Sequence, residues 1–185
     1  MRDAWPFAPL RVGAADLIVC DPPWPWEGGK TKAGEAHYRT MRMDRIMALP
    51  VAALAKESCA LLLWATAPRL DEAITTARAW GFAYKSNVVW RKVTINGKPR
   101  MGCGFWARSM HETVVIATRG NPRALRLPSV IDGVAREHSR KPDEFYDLIR
   151  DRTPGLSRCD LFSRQTRPGF DGWGNEHGKL DGVAS

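Results

Sequence analysis

The chain has 185 residues, of which 44% are hydrophobic, and it carries a formal net charge of +8 with an isoelectric point near 9.7. This length and apolar content exclude a disordered chain and predict one globular domain over residues 1–185. The basic charge is typical of a nucleic-acid-binding domain, with solubility as the plainer explanation.

The four cysteines lie far apart in the sequence and form no Cys-x-x-Cys pair. Neither a zinc site nor a disulfide framework is indicated, and we expect no metal. The N-terminus lacks the apolar core of a signal peptide, and no run is long enough to span a bilayer. We therefore expect a cytoplasmic protein without membrane contact.

The first predicted strand covers residues 16–20, and Asp21-Pro22-Pro23-Trp24 follows it directly. An acid at the end of a buried strand lies at the carboxyl edge of the sheet, where open α/β folds bind ligands. The two prolines fix φ twice and stiffen the loop. The motif can thus present a carboxylate, carbonyl oxygens and an indole face to a flat polar heterocycle, although a plain proline turn with a core tryptophan is the alternative.

A polar segment with glycines follows at residues 27–34 and is predicted to be a surface loop, since its spacing matches no phosphate-binding loop. His37-Tyr38-Arg39 then places an aromatic side chain between basic ones. Residues 43–58 are predicted to form two short helical pieces broken at Pro50.

Strands and helices alternate along the rest of the chain. A helix is predicted from Thr66 to Gly81, and another begins with Pro142 at its first position and acids in its first turn. Further strands are predicted over residues 59–64, 87–90, 112–117, 130–134 and 159–163. This alternation predicts an α/β fold with a doubly wound, mostly parallel sheet.

The connection over residues 91–110 is long and contains five basic side chains and two aromatic ones. Cations suit phosphates and aromatic faces suit unstacked bases, so this composition favours contact with a single strand or a flipped base. A solvated loop anchored by its two aromatic residues is the alternative.

Taken in order, these segments resemble the MT-A-type adenine-N6 methyltransferases, and the small prokaryotic and phage members most closely. The matching segments are Asp21-Pro22-Pro23-Trp24, His37-Tyr38-Arg39-Thr40-Met41, Leu62-Leu63-Trp64, Trp80-Gly81, Val89-Trp90, Arg119-Gly120-Asn121-Pro122, residues 138–144, Leu161-Phe162 and Trp173-Gly174-Asn175-Glu176. The resemblance implies a Rossmann-like class I methyltransferase fold with permuted motif order, in which the catalytic half precedes the cofactor half.

The resemblance also implies S-adenosylmethionine as the cofactor and assigns residues to it. Asp21 would contact the ammonium of its methionine moiety, Lys141 the carboxylate, and Asn175 and Glu176 the ribose hydroxyls and adenine. The remaining positions assigned to the cofactor are Arg164 at the end of the last strand, Asp3 near the adenine, and Asp160, where relatives often carry Glu.

For the acceptor, the resemblance implies that Asp21 and the Pro22 carbonyl accept the hydrogens of the adenine N6 amine. An ordinary Asp, with a pKa of about 3.9, is ionised at neutral pH and suits this role. Trp24 and Tyr38 would stack on an extruded base. The other substrate-binding candidates are His37, Arg39, Arg91, Lys92 and Arg108.

The leading hypothesis is an adenine-N6 methyltransferase acting on DNA, at the nucleoid. The same chemistry on RNA and a non-catalytic nucleic-acid-binding subunit are the alternatives, and the intact motif at residues 21–24 argues against the latter. Target recognition would fall to loops 25–42, 91–110 and 119–140. It could also come from a partner, either a second copy of the chain or a methyltransferase-like subunit.

Overall fold

The computed structural model describes residues 5–25, 40–104, 106–137 and 140–182. Within these ranges lie seven strands, three α-helices and two single turns of 3₁₀ helix at Val51–Ala53 and Ala67–Arg69. The strands are β1 Ala15–Cys20, β2 Ala55–Ala65, β3 Ala83–Val93, β4 His111–Arg119, β5 Val130–Val134, β6 Arg158–Leu161 and β7 Asp171–Trp173. The helices are α1 Met43–Met47, α2 Leu70–Ala79 and α3 Asp143–Arg152.

The strands form one sheet in the order β5–β3–β4–β2–β1–β6–β7. β4 runs antiparallel to both of its neighbours, and every other pairing is parallel. β1 lies between β2 and β6, so the loop that follows it opens at the middle of the sheet. The predicted α/β fold with a mostly parallel sheet is confirmed.

Side chains that alternate along the strands fill two cores, one on each face of the sheet. On β1, Ile18 and Cys20 pack in the core that also holds Ala73 and Ala77 of α2. Leu17 and Val19 point the other way, into the core that holds Phe145 and Ile149 of α3. Helices cover both faces, which explains why the central strands are apolar almost throughout and confirms the doubly wound arrangement.

The structure corrects three element predictions. The helical prediction over residues 43–58 runs too far, because β2 already begins at Ala55, where it pairs with Ala15 of β1. Pro142 caps α3 in an extended conformation instead of occupying its first turn. β7 was not predicted, since three residues with a central glycine give no strand pattern. Its extended backbone is held by pairing with β6.

The helices within the described ranges include none with the length and hydropathy that a bilayer crossing requires. The parallel strands β1, β2, β3 and β6 end at one edge of the sheet, and the antiparallel β4 begins there. This edge therefore collects the residues that follow β1 and β6 together with the first residues of β4.

Candidate active site

Three charged side chains from distant parts of the chain meet at this edge. Asp21 follows β1, Glu112 is the second residue of β4, and Lys141 precedes α3. The Lys141 ammonium lies 3.1 Å from Asp21 Oδ2 and 2.8 Å from Glu112 Oε2. One cation therefore bridges two carboxylates.

A second lysine lies on the far side of Glu112. Lys92, near the end of β3, places its ammonium 2.6 Å from Glu112 Oε1. Both oxygens of Glu112 are thereby engaged, one by each lysine. The four side chains form a row of alternating charge, from Asp21 through Lys141 and Glu112 to Lys92, which we call the charge row.

Two tryptophans underlie the lysines of the charge row. The Lys141 ammonium lies 5.2 Å from the centroid of the Trp64 ring, and the Lys92 ammonium lies 5.0 Å from that of Trp90. The two rings meet edge to face with centroids 6.0 Å apart, and the Trp90 indole N–H donates to the Gly133 carbonyl at 2.9 Å. Both ammonium groups thus lie over buried rings that core packing holds in place.

Burial and neighbouring charge act in opposite directions on the carboxyl groups of the charge row. Burial raises the pKa of Asp21, and the Glu112 carboxylate adds to this rise while Lys141 opposes it. Burial also disfavours the charged form of Glu112, but Lys141 and Lys92 outweigh it and lower the pKa to about 2. Asp21 is therefore the carboxylate of the row that takes up a proton most readily.

A cleft opens beside Asp21, between the end of β6 and the start of α3. Its lining residues are Asp21, Arg140, Lys141, Tyr146, Asp160, Phe162, Ser163, Arg164, Gln165, Arg167 and Leu180. Asp160 is buried, accepts a hydrogen bond from the Tyr146 hydroxyl at 3.2 Å, and has its pKa raised to about 7 by burial. Arg167 links this cleft to the start of α3, because it donates to Asp143 at 2.7 Å and to the Lys141 carbonyl at 2.9 Å.

The C-terminal motif closes one side of this cleft. Arg164 places its Nε 2.8 Å from Glu176 Oε2, and Lys179 pairs with the other oxygen of Glu176. Asn175 is exposed beside them. Gly174 is required here, because a Cβ at this position would lie 2.9 Å from the Ser163 carbonyl oxygen.

Two further features of the cleft are typical of a ligand site. Phe162 adopts a left-handed conformation with φ of 60°, a strained state for a non-glycine residue that clusters at binding sites. Gln165 has a buried side-chain oxygen with no hydrogen-bond partner within the described part of the chain. That oxygen suits a ligand carrying hydroxyl or amine donors, so the lining fits a polar molecule such as the predicted cofactor.

The Asp21-Pro22-Pro23-Trp24 loop is held by its own backbone and by the core. The Pro22 carbonyl accepts the Trp24 N–H at 2.8 Å, and the Pro23 carbonyl accepts the Met41 N–H at 2.8 Å. Trp24 is 9% exposed, and its indole N–H donates to the Trp64 carbonyl at 2.9 Å. The indole therefore packs in the core, as the alternative interpretation of this residue had it, and anchors the loop under Asp21.

The basic substrate candidates occupy different surroundings. Arg91 pairs with Asp132 of β5, its Nε lying 2.6 Å from Oδ1, while Lys92 belongs to the charge row. Arg108 donates to the Gly102 carbonyl at 3.1 Å and is exposed. Four candidates lie outside the described residues, namely Asp3, His37, Tyr38 and Arg39.

Sequence reasoning missed several residues of the site. Glu112 carried a usable signal, because a lone acid inside an apolar strand is rarely buried without a cationic partner. Tyr146, Gln165 and Arg167 carried none, since a helix face and an irregular segment give no indication of which side chains turn toward a cleft.

A profile of the MT-A70 family matches residues 15–176, which is most of the chain. The Type II methyltransferase M.MunI from Mycoplasma sp is 28% identical over 195 residues, an alignment that covers 92% of this chain and 81% of that protein. A putative N(6)-adenosine-methyltransferase, MT-A70-like, from Medicago truncatula is 30% identical, with 93% of this chain and 27% of that protein covered.

The human N(6)-adenosine-methyltransferase catalytic subunit METTL3 is 27% identical over 179 residues, with 93% of this chain and 29% of that protein covered. The chain thus spans most of the Mycoplasma protein and less than a third of these two eukaryotic ones. The resemblance noted in the motifs is confirmed by these matches. The chain belongs to the MT-A70 family of methyltransferases.

Proposed function

We propose that this chain transfers a methyl group from S-adenosylmethionine to the exocyclic N6 amine of adenine in DNA. The observation that carries the proposal is the position of Asp21. Its carboxylate is held 3.1 Å from the Lys141 ammonium, at the sheet edge and on the border of a polar cleft.

The cleft residues would hold the cofactor. S-adenosylmethionine, when bound, supplies an electrophilic methyl group on a sulfonium. The charges of Lys141 and Asp21 are complementary to the carboxylate and ammonium of its amino-acid end, and the Glu176 carboxylate and the Gln165 oxygen can accept hydrogens from hydroxyl and amine groups. Arg164 and Asp160 line the same cleft and are proposed contacts, as is the exposed Asn175 next to Glu176. Asp3 stays a prediction.

Asp21 and Pro22 would hold the acceptor amine. The N6 lone pair of adenine is delocalised into the ring, which makes the amine a poor nucleophile. Two hydrogen-bond acceptors, the Asp21 carboxylate and the second lone pair of the Pro22 carbonyl, favour a pyramidal nitrogen whose lone pair is free to attack. The methylated nitrogen is acidic, so no strong general base is needed, and the rate then depends mainly on positioning.

We assign nucleic-acid contact to the connection over residues 94–110, which joins β3 to β4 at the same edge as Asp21. It contains three cations, Lys98, Arg100 and Arg108, and no acidic residue. Trp106 is 95% exposed and Ile95 83% exposed. Positive charge beside exposed flat and apolar surface fits a polyanion with unstacked bases.

We favour DNA because of how much of each relative aligns with this chain. This chain covers 81% of the type II methyltransferase from Mycoplasma but under a third of the eukaryotic adenosine methyltransferases. The alignment takes in most of the type II methyltransferase and only part of the adenosine methyltransferases, which makes the type II enzyme the better guide to the substrate. The eukaryotic relatives are named for adenosine, a ribonucleoside, which keeps RNA as the second candidate.

Transfer of an isotopically labelled methyl group to DNA and RNA oligonucleotides of matched sequence tests the proposal. We expect the purified chain to label the DNA strand and to label RNA at least about tenfold less, a discrimination worth about 1.4 kcal/mol. Label in RNA alone would move the function to RNA. No label in either, with or without a methyltransferase-like partner, would contradict a catalytic role.

A further inference from the structure

Lys92 is a candidate phosphate contact from its sequence, but its ammonium points along the sheet edge to Glu112, and its side chain is 23% exposed. Its backbone is fixed as well, because its N–H donates to the Met110 carbonyl at 2.9 Å and its carbonyl accepts the Arg100 N–H at 2.8 Å. The side chain thus lies at the base of the 94–110 connection and faces the site, where it is poorly placed to reach a phosphate.

The charge row is neutral only when Lys92 is counted. Asp21, Glu112 and Lys141 alone leave one negative charge in a site where the three side chains are 24%, 12% and 11% exposed. An uncompensated buried charge is unfavourable in free energy, and one of the carboxylates relieves it by taking up a proton. Lys92 supplies the missing positive charge through its ion pair with Glu112 Oε1.

We propose that Lys92 and Glu112 are positioning residues of the methyl-transfer site: Glu112 orients the Lys141 ammonium, and Lys92 neutralises Glu112, which leaves that ammonium against Asp21 and keeps the Asp21 carboxylate ionised. This inference rests on the proposed function for its catalytic consequence. Without Lys92, Glu112 draws the Lys141 ammonium toward itself, which weakens the ion pair between Lys141 and Asp21. The acceptor carboxylate is then protonated over a wider pH range.

Several other groups face Asp21 and act on its charge. They are Lys141 before α3, Glu112 on β4, Arg164 after β6, Asp160 on β6, Tyr146 on α3 and Cys20 on β1. Lys92 acts on Asp21 through Glu112 and Lys141, so Lys92→Met changes the charge of the row without replacing any side chain that contacts Asp21.

The test measures the titration of the Asp21 carboxyl carbon by NMR in the cofactor-free protein. We expect Lys92→Met to raise the midpoint by about one pH unit, because the row loses a cation, and Lys92→Arg to restore it. Glu112→Gln removes an anion and should move the midpoint in the opposite direction. Lys56→Met is the matched control, since Lys56 pairs with Asp16 at the other edge of the sheet.

Activity provides the second readout. An ionised Asp21 is the active form, so its higher pKa in Lys92→Met should move the acidic limb of the kcat profile to higher pH by the same amount. The KM for the oligonucleotide should change less than about twofold, a difference below roughly 0.5 kcal/mol.

An unchanged Asp21 titration in both Lys92→Met and Glu112→Gln would overturn the inference. So would weaker oligonucleotide binding with a reduced salt dependence and an unmoved pH limb, which would make Lys92 a phosphate contact. If the two variants show the expected titration shifts but the wild type transfers no methyl group, the proposed function is refuted and the charge coupling is supported.

Discussion

At Asp160 the stability of the fold is coupled to pH near neutrality. It is 2% exposed on β6, and burial raises its pKa to about 7. A carboxyl group whose pKa is higher in the folded protein binds more protons there than in the unfolded chain. Its contribution to stability is therefore complete below pH 4 and is lost as the pH rises through 7.

We expect Asp160→Asn to remove this dependence. An asparagine still accepts the Tyr146 hydroxyl hydrogen but cannot ionise. Between pH 5 and pH 8 the free energy of unfolding of the wild type should fall by on the order of 2 kcal/mol more than that of the variant. Denaturant unfolding at both pH values checks this. Asp151→Asn changes the same charge at an exposed site and should retain the wild-type decline.

Asp21 and Lys141 show what the sequence can and cannot predict about single residues. The motifs identified both positions, because each lies in a short segment that resembles the family. Their contact, and the insertion of Glu112 and Lys92 beside them, depends on strand order, which joins residues from four separate segments. Residues 21, 92, 112 and 141 have no common local pattern from which the charge row could be predicted.

The connection between β3 and β4 is the element on which the proposed substrate contact depends. Part of it is ordered as an extension of the sheet, since β3 continues to Val93 and Val93 bridges to Pro99. The predicted loop over residues 91–110 is therefore shorter than the sequence suggested. In the rest of the connection, Trp106 and Met101 are exposed at the sheet edge where Asp21 lies.

Trp106→Ala should weaken binding of a single-stranded oligonucleotide about tenfold, because stacking of a base on an aromatic ring is worth about 1–3 kcal/mol. Fluorescence anisotropy at fixed salt measures this. Tyr84→Ala is the matched control, an exposed aromatic residue near the start of β3 at the opposite edge. Equal loss of affinity in both variants, or no loss in Trp106→Ala, would contradict the proposal that this connection binds nucleic acid.

Elements with strong local patterns were the ones predicted correctly. β1 and β5 are apolar or alternating runs between clear breaks. α2 ends at Ala79, two residues before Gly81, whose φ of 80° breaks the helix as the glycine indicated. β7 and the early start of β2 were missed. Their backbone order comes from pairing with distant strands, which a local window does not contain.

At the scale of the whole molecule, the sheet brings the two ends of the sequence together. β1 is the first strand of the chain but a central strand of the sheet, with β6 directly beside it. The Asp21 loop after β1 and the Arg164 and Glu176 segment after β6 consequently open onto one cleft. This topology permits the proposed catalytic motif to precede the proposed cofactor residues in sequence.

The proposed methyl transfer depends on Asp21 being the group that prepares the N6 amine. The most direct measurement is nucleoside mass spectrometry of DNA incubated with S-adenosylmethionine and either wild type or Asp21→Asn. Asp16→Asn is the matched control, because Asp16 lies near the other end of β1 and pairs with Lys56. We expect N6-methyladenine from wild type and Asp16→Asn, and about 100-fold less from Asp21→Asn. Equal yields from Asp21→Asn, or a methyl group on another atom, would contradict the account.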